Sequence, residues 1–157
     1  MDFVTHIIGL CNEIYCQLGS SHNECVYQKA LIVELYNLGA QSVEFEKHVP
    51  VFFKDSNGTV HTIGDERIDI LVRFPMHSDE VAIIVIELKA VAKNRLNTYT
   101  EQLRKYKTSL KQLNIHPNMF LLINFPQQTE TSLVEYMTYS SDFEKICKNF
   151  TLSIDSK

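Results

Sequence analysis

Apolar residues recur at helical spacing over Phe3, Ile7, Leu10, Cys11, Ile14 and Leu18, which predicts one face of a helix closed by Gly19. A second helix is predicted from Ser21 to Leu38, with Gly39 as its stop. Period two then replaces period 3.6. In VEFEKHVPVFFK, the residues Val43, Phe45, Val49, Val51 and Phe53 alternate with other positions as a half-buried strand does, and Pro50 places it at a sheet edge. Asn57-Gly58 is the pair expected of a tight hairpin turn, and Arg67 to Phe74 reads as the next strand. After PMHSDE, β-branched residues fill both parities of Val81 to Ile86, the pattern of a strand buried on both faces. A helix from about Asn97 to Leu113, a buried strand NMFLLINF, a last strand SLVEYMTY and a short helix from Asp142 to Phe150 complete the order. Strands joined by hairpins, then a helix crossing to one more strand, predict an α/β fold: a mixed sheet flanked by helices.

Composition narrows the class. A chain of 157 residues, 45% hydrophobic and 22% charged, suits one domain with a real core. No apolar stretch is long enough for a bilayer, so no membrane role is expected. Asp2 stands where a secretory signal would carry basic residues, so none is expected. Four cysteines without C-x-x-C spacing point to reduced thiols in an intracellular, reducing compartment, and six scattered histidines suggest no zinc site.

Charge is uneven. From Lys89 to Leu113 there are seven basic residues (Lys89, Lys93, Arg95, Arg104, Lys105, Lys107, Lys111) against Glu101 alone. That segment is +6 within a chain of net charge −4, so the remainder is −10. A basic segment beside an acidic site suits a protein that handles phosphates; a solvated helix face has the same composition.

Burying an ionised carboxylate costs several kcal/mol unless it is paired or bound to a metal. Glu87 and Lys89 end the most apolar strand, two residues apart and on one face, and Asp69 lies inside the apolar run of RIDILVRF. If those strands are neighbours, the two acids meet across the ladder and repel, raising each other's pKa until a cation separates them. Mg²⁺ takes one or two carboxylates with phosphate oxygens and waters, and a lysine beside it can orient an attacking water. The same residues admit a plainer reading, in which Glu87 and Lys89 mark the strand's exit into solvent and Asp69 pairs with Arg67 or Arg73. Likewise Ser21-x-x-Glu24 reads as a capping box. Gln102 and Tyr106, four apart, share one helix face.

Asp69…Glu87-x-Lys89 resembles the PD-(D/E)XK nuclease signature, and its surroundings resemble one branch of it, the GxxExxY protein family. GSSHNECVYQKALIVEL is similar to the name-giving motif through Glu24 and Tyr27, with Gly19, Ala30, Leu31, Glu34 and Leu35 alongside. RIDILV resembles the aspartate strand, VIELKAV the Glu-x-Lys strand, EQLRKY a Q-x-x-x-Y helix and FLLINF the closing strand. The likeness spans roughly 18–136, which makes 2–18 and 140–157 additions to a single domain covering 1–157. It departs from the pattern at Ser21, where the motif has glycine, and at Glu66, where an aromatic is common. The resemblance implies a restriction-endonuclease-like core and metal-dependent hydrolysis of phosphodiesters in DNA. Asp69, Glu87 and Glu24 would hold Mg²⁺, with Mn²⁺ as substitute; Lys89 would position the water; Gln102 and Tyr106 would shape the site. Lys93, Arg95, Arg104, Lys105 and Lys107 would meet the phosphate backbone. So small a chain has little surface for target recognition, so a homo-oligomer or a larger complex is expected. The rival expectation is a non-cleaving nucleic-acid-binding or assembly protein that retains the fold; the intact Glu-x-Lys argues for cleavage.

Overall fold

Asp2 starts the first helix, its carboxylate accepting the Thr5 N–H at 3.3 Å, and Gly19 ends it at φ 74°, a left-handed conformation that glycine adopts without strain. The computed structural model describes residues 2–131 and 133–147. Its elements are α1 (Phe3–Leu18), α2 (Glu24–Asn37), β1 (Ser42–Lys54), β2 (Val60–Pro75), β3 (Val81–Lys89), α3 (Thr100–Gln112), β4 (Met119–Asn124), β5 (Glu135–Ser140) and β6 (Lys145–Cys147). The strands form one sheet in chain order, with β1 at the edge that Pro50 predicts. Only β3 and β4 pair in parallel among these neighbours, because α3 carries the chain across between them. No helix among the described residues is long and apolar enough to cross a membrane.

The sheet is packed on both faces. Ile7, Tyr15, Tyr27 and Leu31 of α1 and α2 bury against Ile84, Ile86 and Leu88 of β3, whereas Leu103, Tyr106 and Leu110 of α3 cover Val85 with Phe120 and Leu122 on the other side. The expected double burial of β3 is therefore observed, and its odd positions, Glu87 among them, face α3.

Three expectations are corrected. Helix α2 begins at Glu24, with Asn23 at the N-cap and no side-chain capping bond. Glu24 is thus the first helical residue rather than the third, too early to close a capping box on Ser21. The predicted terminal helix is replaced over Lys145–Cys147 by β6, because a turn bonded from Ser140 N–H to Glu144 C=O (3.0 Å) and from Phe143 N–H to Ser140 C=O (2.8 Å) sends the chain back along β5; positions 148–150 lie outside the described residues. In β1 the alternation fails: Phe45 and Phe53 are more than half exposed while Val43 and Val49 are buried. Val43 packs with the α1/α2 face but Val49 with the α3 face, although six residues separate them; Ile70 and Ile68 of β2 differ in the same way. Glu46, at φ 52°, sits at the switch, so the β1–β2 ribbon turns over near Glu46 and Asp69.

Tyr27 ties the helical layer together. Its ring stacks on Phe125 at 4.2 Å, and its hydroxyl donates to the Gly19 carbonyl at 2.5 Å. Tyr27→Phe keeps the stack and drops only the hydroxyl contact. Chemical denaturation is expected to show a loss of about 1 kcal/mol, the worth of one buried hydrogen bond; no loss would make that contact ornamental.

Candidate active site

The centre lies where the ribbon leaves the sheet. The β2–β3 ladder runs from Pro75↔Val81 to Ile70↔Ile86; beyond it, the Leu88 N–H donates to Asp69 Oδ2 at 2.7 Å. A side chain thus takes over where backbone pairing ends, which holds Asp69 beside β3. Glu87 and Lys89 remain paired with Leu122 and Asn124 of β4, so the lysine's strand is clamped while its neighbour diverges.

Asp69 and Glu87 are buried, 7% and 1% exposed, and near enough that the charge of Asp69 acts on Glu87. Burial raises the pKa of both; for Glu87 the charge of Asp69 adds to it and lifts the group to about 7, with Lys89 and Tyr106 working against the rise. Lys89 ion-pairs with Glu87 Oε1, and its ammonium also stands 5.0 Å from the centroid of the Tyr99 ring. Burial pulls its pKa down, but Glu87, Glu24 and Asp69 override this and hold it above the usual lysine range.

Tyr106 and Gln102 meet at this point, as their spacing predicts. The Tyr106 hydroxyl accepts from Gln102 Nε2 (2.6 Å), and its proton is shared between the Arg67 carbonyl (2.7 Å) and Glu87 Oε2 (3.0 Å). Burial and the Glu87 charge push the phenol well above its ordinary pKa, so it stays a donor. Glu24 is half-buried nearby; burial raises its pKa, and the charges of Lys89, Asp69, Glu46 and Arg67 all reach it.

The plainer reading of Asp69 is excluded by its partners. Arg67 bonds Glu46 and Arg73 bonds Glu44, while the Asp69 carboxylate accepts the Leu88 N–H. Nor does the Glu87–Lys89 pair reach open solvent, since the Lys89 side chain is 12% exposed.

The donor set suits an oxygen-preferring divalent ion: two buried carboxylates on neighbouring strands, both resisting ionisation, with an amine rather than a soft ligand beside them. Among the described residues no group of three or more His, Cys, Asp or Glu side chains stands together closely enough to hold a metal ion. The fit is therefore to a carboxylate pair with Glu24 beside it.

The basic residues are divided. Lys93 and Arg95 are exposed on the loop after β3. Arg104 bonds Glu101 at 3.2 Å and lies over the Phe143 ring, Lys105 is 3.7 Å from Glu66, and Lys107 is half-buried. Part of the positive segment is thus already engaged within the molecule. Sequence reasoning missed Glu46, Gln28 and Tyr99, which surround the centre. Glu46 stands between Phe45 and Lys47 in the alternating run, and its left-handed backbone, φ 52°, is invisible to period counting.

A model of the PD-(D/E)XK nuclease superfamily matches residues 1–136. A comparison with curated proteins finds no match. Among solved structures, the crystal structure of SSO0001 aligns at 17% identity and a TM-score of 0.43, covering 87% of this chain and 66% of that one, so this chain spans just under two thirds of its length.

Proposed function

From the premise that this chain belongs to the PD-(D/E)XK nuclease superfamily, with its α/β fold, we propose that it hydrolyses phosphodiester bonds in DNA with Mg²⁺ or Mn²⁺, as a member of the GxxExxY branch. One observation carries the reading: two acids are buried side by side on adjacent strands, and a lysine two residues on bonds one of them. Such a pair is costly in an empty protein and is relieved by a divalent ion.

Asp69 and Glu87 hold the ion, and Glu24 supports it from the start of α2. When bound, Mg²⁺ supplies charge stabilisation to the phosphate and acidifies its water. The remaining roles fall to the chain. Lys89, held in place by Tyr99, orients the attacking water and faces the charge that grows on phosphorus. Tyr106 donates to Glu87 and fixes its rotamer, and Gln102 fixes Tyr106. Lys93, Arg95, Arg104, Lys105 and Lys107 meet backbone phosphates, a contact blind to sequence.

The test is cleavage of single- and double-stranded DNA and RNA in Mg²⁺, Mn²⁺ and EDTA. Cleavage of DNA that EDTA abolishes is expected; binding without cleavage in either metal would move the protein to the non-cleaving class. Affinity is also expected to weaken with salt, with a log–log slope of about −0.9 per phosphate neutralised on duplex DNA. Replacing Arg104, Lys105 and Lys107 with Ala flattens that slope by less than three phosphates' worth, because Arg104 and Lys105 already have acidic partners. An unchanged slope removes α3 from the interface.

A further inference from the structure

Arg67 stands two residues before Asp69, and the nuclease reading gives it no task. Its Nε bonds Glu46 Oε2 at 2.7 Å. Gln28 Nε2 holds the other Glu46 oxygen at 2.9 Å and also donates to the Asp69 carbonyl at 3.0 Å. Gln28 is 6% exposed, so this anchor is rooted in the packed face of α2. The Arg67 carbonyl accepts from the Tyr106 hydroxyl, which also reaches Glu87. Backbone and side chain are therefore both tied to groups that define the centre.

The guanidinium is nevertheless not used up. It is 60% exposed, and its shortest approach to Glu46 is through Nε. The charge balance matters as well. Glu24, Glu46, Asp69 and Glu87 outnumber Lys89 and Arg67, so an approaching polyanion meets net negative charge. Lys89 is buried against Glu87 and offers it little, whereas Arg67 is accessible and preorganised.

From this geometry we propose that Arg67 is a substrate-contacting residue, whose terminal N–H groups receive a backbone phosphate of the nucleic acid beside the Asp69–Glu87–Lys89 centre. Glu46 and Gln28 are its positioning residues: they hold the guanidinium by Nε and leave the outer edge open. The inference rests on the nuclease reading for the identity of the substrate.

The experiment measures binding of a short labelled DNA duplex over a salt series, and steady-state cleavage in Mg²⁺, for wild type, Arg67→Ala, Arg67→Lys and the double variant Arg67→Ala/Glu46→Gln. Arg67→Ala is expected to weaken binding and raise KM about tenfold, the effect of losing one charged hydrogen-bond contact. It also flattens the salt slope by about 0.9. Arg67→Lys recovers the slope but only part of the affinity, since a point charge cannot bond Glu46 and a phosphate as a fork does. The double variant removes the unpaired acid, so a role confined to neutralising Glu46 predicts full recovery, and a phosphate contact predicts none. Recovery in the double variant, or an unchanged slope and KM in Arg67→Ala, overturns the proposal while leaving the nuclease reading intact. Wild-type protein that binds duplex without cutting it removes the nuclease reading and leaves the Arg67 contact to be judged on binding alone. Wild-type protein that does not bind overturns both.

Discussion

Lys89→Met is expected to slow DNA cleavage in Mg²⁺ by about 10²–10³, or ~2.7–4 kcal/mol, the cost of removing one preorganised charge contact from a transition state. Methionine keeps the apolar stem that packs at the strand end and removes only the ammonium. The loss should fall on kcat, because Lys89 is 12% exposed and cannot carry much of the binding to duplex DNA. Affinity measured in parallel is expected to change less than threefold, about 0.6 kcal/mol by the usual arithmetic. The burial of Lys89 alters the control. A lysine merely ending a strand would be dispensable, but this one neutralises Glu87, so its removal costs the metal-free protein stability and the assay must be run below the variant's melting temperature. Wild-type kcat in a folded Lys89→Met protein would reduce Glu87–Lys89 to a structural ion pair.

Glu87→Gln is expected to stabilise the metal-free protein above neutral pH by about 3 kcal/mol. The sign follows from linkage. Glu87 has a folded pKa of about 7 against an ordinary 4.5, so the folded state binds its proton more tightly than the unfolded chain does. Between those values, raising the pH removes the proton from the unfolded chain first, and wild-type stability falls through the window, reaching its floor above about 7. A shift of that size corresponds to ~3 kcal/mol, and the raised pKa of Asp69 puts the whole pair on the same slope. Glutamine resembles the protonated acid, so the variant loses most of the decline, and Asp69 no longer faces a second charge. Melting in EDTA at pH 5 and pH 8 checks this: wild type should lose more on going to pH 8 than the variant does. In excess Mg²⁺ the order should reverse, since the ion stabilises the form that binds it. A variant that melts lower than wild type in EDTA at pH 8 would mean that Glu87 is held ionised by Lys89 and needs no metal.

Much of the molecule was legible from periodicity. Phe3 through Leu18 bury the face that their spacing predicts, and the filled parities of Val81 to Ile86 meet helices on both sides. Pro50 marked the sheet edge correctly, because a residue without an N–H belongs where no further strand needs one. Local signals misled where tertiary contacts had another use for the residue. Asp142 to Phe150 has the composition of a short helix, yet the turn through Phe143 returns Lys145–Cys147 to the sheet, where strand pairing supplies the backbone bonds a three-turn helix would have made for itself.

The site divides along the same line. That Asp69, Glu87 and Lys89 stand out follows from the chain alone, since charged residues inside apolar strands are expensive and call for a partner. That Gln102 and Tyr106 act together follows from their four-residue spacing on α3. Which acid meets which cation does not follow, because pairing depends on register and on where two strands part. The ladder ending at Ile70↔Ile86 brings Asp69 to Leu88, and Glu46, at its left-handed turn, captures Arg67, one of the two residues the chain alone offered to Asp69. A period counts residues along one strand, whereas the charges that decide this centre sit on four different elements and meet only when the sheet twists.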